Sequence, residues 1–182
     1  MIKEEFPNYN YGESTIDNYF LPKRGKNLLT KDAVPGEIPV VAGGLTPSTY
    51  HNRANTEAPV ITISASGANA GYIALWNTPV WSSDSSYIDN SVTPYIYFWY
   101  LVLKNRQKEV FDKQTGSAQP HIYPQHIGIL PITNLDERKV ANFNNKVTPF
   151  FQMMGNLQQE NERLASTRDT LLPKLLNGEI VL

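Results

Sequence analysis

The chain has 182 residues, of which 41% are hydrophobic and 11% aromatic, and this composition excludes wholesale disorder. It contains no cysteine, which excludes disulfides, thiol catalysis and cysteine-ligated zinc or iron–sulfur sites and favours a cytoplasmic protein. Its 16 Lys and Arg residues against 17 Asp and Glu residues give a formal net charge of −1, which by itself argues against a protein that coats nucleic acid.

Glycine, proline and aromatic residues divide the chain into two parts. Nine of the 11 glycines, 11 of the 13 prolines and 17 of the 20 aromatic residues precede residue 134. This distribution predicts an α+β chain, with a loop-rich mixed α/β domain over residues 1–133 and a long helix over residues 134–182. No apolar run is long enough to predict a membrane span, and the first residues do not have the pattern of a signal peptide.

Short β-branched segments bounded by turn residues predict strands in the first part. These segments are Ile38–Val41, Val60–Ser64, Tyr72–Leu75 and Pro79–Trp81. The glycines of Gly43-Gly44 and of the segment 66–71 predict turns between them. The apolar run Pro94–Leu103 has no clear period. The proline at its start and the charges from Lys104 onward favour a buried helix, with a strand as the alternative.

An apolar heptad pattern dominates the last part and predicts a long helix that packs against another helix. The a positions are Val140, Val147, Met154, Asn161, Arg168 and Leu175, and the d positions are Phe143, Phe150, Leu157, Leu164 and Leu171. Thr133 or Asn134 is expected to cap this helix and Asn177-Gly178 to end it, whereas Pro149 predicts a kink or a break just before it. The alternative interpretation is a helix that packs only on its own domain. A helix over 135–176 would be roughly 60 Å long, which favours a partner.

No catalytic motif is complete in the sequence. The segment Ser64-Ala65-Ser66-Gly67 lacks the first glycine of a nucleophile elbow, and no phosphate-binding glycine loop occurs. His51, His121 and His126 do not have the spacing of a zinc site. Thr93-Pro94-Tyr95 does not match the (Asn/Asp)-Pro-Pro-(Tyr/Phe) motif that an adenine methyltransferase requires. We therefore predict a chain without catalytic activity, metal or cofactor of its own.

Four short segments precede the long helix in a definite order. They are 23–29 (KRGKNLL), 36–44 (GEIPVVAGG) followed by Tyr50-His51-Asn52, 61–72 (ITISASGANAGY) followed by Trp81 and Ser83-Asp84, and 115–122 (TGSAQPHI) leading to 129–132. Together with the helix that ends over 171–180, they resemble the target recognition domain and helical spacer of type I restriction–modification specificity subunits. The resemblance covers nearly the whole chain, and its specificity comes from the order of the segments.

The resemblance implies a non-catalytic subunit that reads one half of a bipartite site in double-stranded DNA. It also implies a spacer helix that sets the distance between half-sites and binds methyltransferase (modification) subunits, which use S-adenosylmethionine. A restriction/translocase subunit would join the same complex. The usual specificity subunit carries two recognition domains and two spacer helices, whereas this chain has one of each. We therefore expect a homodimer formed through the helix, or pairing with a separate half-subunit.

Phosphate binding favours Lys and Arg, whereas base edges favour Arg and polar side chains in loops. The candidate phosphate contacts are Lys23, Arg24 and Lys26. The candidates for groove readout are Thr46, Ser48, Tyr50, His51, Asn52 and Arg53, with Lys113, Gln114, Ser117, Gln119 and His121 in a second loop. The alternative for each basic residue is a solvated surface charge. For Ser64, Ser66 and Asn69 the alternative is a turn, and the three tryptophans are expected in the core.

The near-neutral total hides an uneven distribution of charge. Residues 23–53 carry +3 and residues 104–113 carry +2, whereas residues 1–22 and 54–103 carry −3 each. The positive blocks adjoin the candidate DNA-binding loops, and the small net charge predicts weak DNA binding by one chain alone. The alternative function is a carbohydrate- or peptide-binding module with an oligomerising coiled-coil stalk, and it gives no reason for the basic blocks.

Overall fold

The structure is a computed structural model that describes residues 2–116 and 118–180, and it has mixed α and β composition. The described strands are β1 (Ser14–Thr15), β2 (Lys23–Arg24), β3 (Ile38–Val41), β4 (Thr49–His51), β5 (Val60–Ser64), β6 (Ile73–Trp76), β7 (Trp81–Ser82), β8 (Ser85–Ile88) and β9 (Pro131–Ile132). The helices are α1 (Ile2–Glu5), α2 (Ile96–Asn105), α3 (Gln107–Phe111), α4 (Pro124–Gly128) and α5 (Glu137–Leu176), with 3-10 helices at Ile16–Asn18 and Thr30–Asp32. Short strands followed by one long helix confirm the predicted fold class.

The strands form three small sheets in the first part of the chain. The largest has the order β2-β8-β5-β6 with antiparallel neighbours, and its central strand β5 is buried along its whole length. The second has the order β4-β3-β7, in which β3 is antiparallel to β4 and parallel to β7. The third pairs β1 with β9. Strands β7 and β8 belong to different sheets and are joined by two residues only. This short connection brings the two larger sheets together at residues 82–85.

Aromatic side chains from α2, from α5 and from the residue after α1 pack together in the hydrophobic core. Phe6, just after α1, packs edge-on against Phe98 of α2 and Phe143 of α5, with ring centroids 5.2 and 5.6 Å away. The Asn144 side chain accepts a hydrogen bond of 3.1 Å from the Phe98 backbone N–H. Edge-on aromatic pairs add specific geometry to the burial of large apolar area. The first turns of α5 are therefore part of this core.

A buried arginine joins the helical layer to the segment before α5. The side chain of Arg106 is only 1% exposed, and its Nη2 donates to Glu109 Oε2 at 2.6 Å. Its Nη1 donates to the carbonyl of Pro131 in β9 at 2.7 Å. Burial raises the pKa of the nearby Tyr9, and the positive charge of Arg106 opposes that rise. The bonds to Glu109 and Pro131 compensate the cost of burying the guanidinium.

The sequence-based prediction of elements succeeded where β-branched residues are buried. The strands Ile38–Val41 and Val60–Ser64 have their predicted bounds, and the third predicted strand is displaced by one residue, to β6. The run from Pro94 forms the predicted helix, α2. The strand predicted over Pro79–Trp81 is wrong in its bounds, because pairing with β3 begins only at Trp81.

The start of α5 differs from the predicted start. The helix begins at Glu137, and Asp136 Oδ1 accepts hydrogen bonds from the backbone N–H groups of Arg138 and Lys139, at 2.9 and 3.2 Å. Asp136 is therefore the cap, and the prediction of Thr133 or Asn134 was wrong. The reason is that the helix begins at Glu137, so Asp136 stands directly before it, whereas Thr133 and Asn134 lie earlier in the chain.

Substitution of Asp136 by alanine is expected to lower the free energy of unfolding by about 1 kcal/mol, because two N–H groups of the first turn lose their acceptor. Asp136→Asn keeps a side-chain oxygen at the same place and is expected to lose only a few tenths of that amount. Urea unfolding followed by tryptophan fluorescence measures both. Equal losses in the two variants would contradict the assignment of Asp136 as the cap.

The helix α5 continues through Pro149 and Pro173 as one element, so of the predicted kink or break the break does not occur. It ends at Leu176, and Gly178 follows with φ of 78°, which confirms the predicted stop at Asn177-Gly178. Compact packing divides the chain after Val147, whereas the sequence suggested a division at 133/134. The difference arises because Val140, Phe143 and Val147 are buried in the first unit.

In the second unit the heptad positions from Phe150 onward are exposed. Leu157 and Leu164, for example, are 53% and 60% exposed. The predicted apolar seam therefore has two parts. Val140, Phe143 and Val147 are covered by their own domain, and Phe150, Met154, Leu157, Asn161, Leu164 and Leu171 are open to solvent. Among the described residues, no helix is both long and apolar enough to cross a lipid bilayer.

Candidate nucleic-acid interface

Strand β2 presents two of the predicted basic residues at an edge of the largest sheet. Lys23 pairs with Tyr87 and Arg24 with Ser86 of β8. Arg24 Nη2 donates to Asp84 Oδ1 at 2.8 Å, and Lys23 Nζ donates to the hydroxyl of Ser91 at 2.8 Å. Side chains alternate between the faces of a strand, so the two neighbours diverge. The pairing with β8 thus fixes the backbone from which both cations extend.

The segment after β2 is held tightly against residues 82–85. The backbone N–H groups of Gly25 and Lys26 donate to the carbonyls of Ser85 and Ser82, both at 2.9 Å. A Cβ on Gly25 would lie 2.5 Å from the carbonyl oxygen of Ser82, so only glycine fits there. Trp81 Nε1 donates to the Lys26 carbonyl at 2.8 Å. Lys26 therefore has a fixed main chain and an exposed side chain.

Most of the predicted readout residues on the β3–β4 hairpin are exposed. Thr46, Tyr50, Asn52 and Arg53 are exposed, and so is Ser48, although its hydroxyl donates to the Val40 carbonyl at 3.2 Å. Thr46 and Ser48 lie in the turn before β4, and Asn52 and Arg53 lie beyond the opposite end of that strand. The hairpin therefore spreads these residues along its length.

His51 differs from its neighbours on the hairpin because it is buried. Its Nδ1 accepts a hydrogen bond from the Val34 backbone N–H at 3.0 Å, and its ring packs edge-on against Trp81 at 5.1 Å. Both contacts tie the hairpin to the rest of the domain. This geometry gives His51 a structural role in the hairpin, and its predicted contact with DNA stays a prediction.

The second predicted loop folds back on the turn after β5. Thr115 and His121 exchange backbone hydrogen bonds, and the Gly67 N–H donates to the Pro120 carbonyl at 3.1 Å. Gly116 has φ of 92°, which favours glycine at this turn. Lys113 and Gln119 are exposed, whereas the Gln114 side chain donates inward to the carbonyl of Ala70 at 2.8 Å. Ser117 lies outside the described residues.

These contacts bring together segments that are far apart in the sequence. Ser66 donates through its hydroxyl to Asp84, the Ala65 N–H donates to the Asp84 carbonyl, and Ser66 forms a bridge with His121. A Cβ on Gly43 would lie 2.7 Å from the Ser66 carbonyl, so the turn after β3 is also adjacent. We call residues 24–26, 43, 65–67, 82–84, 115–116 and 118–121 the loop cluster. Its described part combines exposed cations with backbone that is fixed by hydrogen bonds.

No DNA contact was predicted for Asp84, and for Ser66 a contact was weighed against a turn. Both lie in the third of the four segments, but carboxylates are poor partners for phosphates, and serine in a glycine-rich stretch is typical of a turn. The sequence separation between Arg24 and Asp84 is 60 residues, so no local spacing could reveal their contact. The only hint in the sequence is that Arg24 and Asp84 each lie in one of the four ordered segments.

A hollow of about 410 Å³ shares no lining residue with the loop cluster. Tyr19, Tyr95 and Trp99 line it together with Glu137 at the start of α5. The Tyr95 hydroxyl donates to Glu137 Oε1 at 3.1 Å, and this bond raises the pKa of Tyr95. The Leu135 N–H donates to the hydroxyl of Tyr19 at 2.8 Å. These polar groups therefore already serve the join between α2 and α5.

Two comparisons with known proteins agree with the resemblance found in the sequence, although no family model matches the chain. A protein of Mycoplasma pneumoniae named as a type I specificity subunit is 23% identical over 169 residues, which cover 90% of this chain and 45% of that protein. The crystal structure of the S subunit of a type I restriction–modification system from M. genitalium matches with a TM-score of 0.68 and 24% identity, over 92% of this chain and 46% of that one. The chain has the fold of that subunit and spans about half the length of both relatives.

Proposed function

We propose that the chain is a DNA specificity subunit of a type I restriction–modification complex and reads one half of a bipartite site. The observation that carries this proposal is the loop cluster, on a fold shared with a solved S subunit. It places Arg24 and Lys26 beside fixed backbone, and polar loops surround them. Such an arrangement supplies cations for phosphates and forked or amide groups for base edges.

The proposed DNA contacts follow from exposure. Lys23, Lys26 and Lys113 are suited to phosphates, because their ammonium groups are point charges on flexible stems. Thr46, Tyr50, Asn52, Arg53 and Gln119 are exposed and carry polar groups for the grooves. The Ser48 hydroxyl donates to the Val40 carbonyl, so Ser48 acts through the position of its turn. His51 and Gln114 point inward and act through the positions of their loops. The carbohydrate- or peptide-binding alternative is not favoured, because both relatives are specificity subunits.

Within the proposed complex the chain supplies recognition and spacing, and other subunits supply the chemistry. The partners are methyltransferase subunits that bring S-adenosylmethionine, and a restriction/translocase subunit, in the cytoplasm. The exposed seam of α5, which we define as Phe150, Met154, Leu157, Asn161, Leu164, Leu171 and Leu175, is the surface for helix pairing. A second copy is the simplest partner for it, because a two-fold pair supplies two recognition units for two half-sites.

One antiparallel register of two copies suits the exposed seam best. With the two-fold axis between residues 162 and 163, a positions face d positions, as helix pairing requires. The resulting layers are Phe150–Leu175, Met154–Leu171, Leu157–Arg168 and Asn161–Leu164. In the two neighbouring registers the axis lies at residue 159 or at residue 166. The first would place Glu160 beside Glu160 of the second copy, and the second would pair Met154 with Gly178, which has no side chain. The sequence of the seam therefore favours the central register.

Mapping of adenine methylation across the genome tests the proposed function. With the chain present we expect methylated bipartite sites that are palindromic, and deletion of its gene is expected to remove them. Insertion of one heptad after Gln159 lengthens the helix by about 10 Å and is expected to widen the gap between half-sites without changing their sequence. Methylation that persists without the chain, or a gap that ignores the insertion, would contradict the proposal.

A further inference from the structure

Among the described residues that were predicted to contact DNA, only Arg24 forms an ion pair within the loop cluster, with Asp84. Its side chain is 42% exposed and that of Asp84 is 33% exposed, so the pair lies at the surface. The guanidinium has five N–H donors, and the bond to Asp84 involves its Nη2. The other N–H groups of the Arg24 guanidinium are therefore available to a ligand.

Asp84 is itself fixed more firmly than a surface carboxylate usually is. Its side chain accepts a hydrogen bond from the Ser66 hydroxyl, and its carbonyl accepts one from the Ala65 N–H at 3.0 Å. The neighbouring Ser83 is buried, and its hydroxyl accepts a bond of 2.9 Å from the Leu28 N–H. Asp84 thus connects the end of β2 to the turn after β5. Arg24 therefore extends from a fixed strand and is held by a fixed acceptor.

A carboxylate at this place changes which DNA group Arg24 suits. Beside a phosphate, the negative charge of Asp84 would repel the ligand and cancel much of the attraction of Arg24. Beside a base edge the ligand is neutral, so the repulsion is absent. An arginine fork held in one orientation then matches two adjacent acceptors, and guanine presents such a pair, O6 and N7, in the major groove.

On these grounds we propose that Arg24 reads a guanine in the recognised half-site and that Asp84 is a positioning residue that holds its guanidinium. This inference rests on the proposed function and changes the role of Arg24 from phosphate contact to base readout. Lys26, two residues away and exposed, keeps the role of phosphate contact. Substitution of Arg24 is therefore expected to change how binding depends on the DNA sequence, whereas substitution of Lys26 is expected to weaken binding to all sequences.

The test uses the assembled methyltransferase complex and DNA duplexes that carry the mapped methylation site, each base pair of one half-site replaced in turn. Arg24→Lys keeps the charge and removes the fork. It is expected to reduce discrimination about ten- to a hundred-fold at one G·C pair and to leave the other positions and the salt dependence unchanged. Lys26→Gln is the matched control. It is expected to weaken binding to all duplexes alike and to lower the slope of log affinity against log salt by about one.

Asp84→Asn separates positioning from simple structural support. We expect discrimination to fall at the same G·C pair, while binding to unrelated DNA becomes tighter because a repelling charge has been removed. If Arg24→Lys weakens all duplexes equally, or if Asp84→Asn weakens unrelated DNA as much as the mapped site, the inference is overturned. If the wild-type complex binds the mapped site no more tightly than unrelated DNA, the proposed function itself is contradicted. The wild-type measurements show this independently of the variants.

Discussion

Phe143→Ala is expected to lower the free energy of unfolding by about 3 to 5 kcal/mol, one of the two largest effects we predict. Phe143 is 1% exposed and packs edge-on against Phe6 and Phe98, at 5.6 and 6.0 Å between ring centroids. Its removal deletes contacts to α2 and to the residue after α1 and leaves a cavity that rigid aromatic neighbours cannot fill. Urea unfolding followed by tryptophan fluorescence measures the loss.

The matched control for this variant is Tyr11→Ala. Tyr11 is an aromatic residue of the same unit but is 71% exposed, so its removal is expected to change the stability by less than about 0.5 kcal/mol. A loss at Phe143 of the same small size would show that the first turns of α5 do not belong to the core. It would return Val140, Phe143 and Val147 to the surface available for a partner helix.

Met154→Glu combined with Leu171→Glu is expected to convert a dimer of the chain into monomers. Both residues lie on the exposed seam and face each other in the proposed register, and burial of each side chain on association contributes up to about 1.5 to 3 kcal/mol. In a two-fold pair each substitution acts twice, so four apolar side chains are lost and two layers each bring two carboxylates together. The lost burial alone is about 6 to 12 kcal/mol, comparable with the association free energy of a micromolar dimer, about 8 kcal/mol, and the repulsion between carboxylates adds to the loss. Sedimentation velocity at micromolar concentrations measures the mass.

Gln152→Glu combined with Asn156→Glu is the control for the charge. Both residues are exposed and lie at f and c heptad positions, away from the seam, so the same added charge is expected to leave the dimer intact. Circular dichroism checks that the helix persists in both double variants. A wild-type chain that sediments as a monomer, or seam variants that still dimerise, would contradict pairing with a second copy and favour a separate half-subunit.

The sequence predicted those elements whose residues carry their own signal. Val60–Ser64 is β-branched and becomes the buried centre of a sheet, and the heptad pattern predicted α5. Strand β8 was not predicted because Ser85 and Ser86 have low strand propensity. They are extended because β5 on one side and β2 on the other supply hydrogen-bond partners. Tertiary pairing of this kind has no local pattern.

Only part of the candidate site could be predicted, because contacts between distant segments leave no local pattern in the sequence. Residue type and local charge singled out the segments around Arg24, Gly43 and Thr115, which the fold brings together, and their contact with DNA stays a prediction. They could not distinguish His51, which is buried, from Asn52, which is exposed, because both are polar residues of one loop. Nor could periodicity separate Phe143 from Phe150, since both are d positions and only the fold decides which turns its own domain covers.

The position of β2 at the edge of its sheet has a consequence for how this protein tolerates change. An edge strand offers unpaired backbone groups to strands of other molecules, and charged residues there discourage aggregation. At the other edge, Lys104 and Gln107 bond to the backbone of Ile73 in β6. On β2 the same protection comes from Lys23 and Arg24. Replacement of these residues by apolar ones would remove that protection and is expected to lower solubility, so tolerated substitutions at β2 should be restricted to polar side chains.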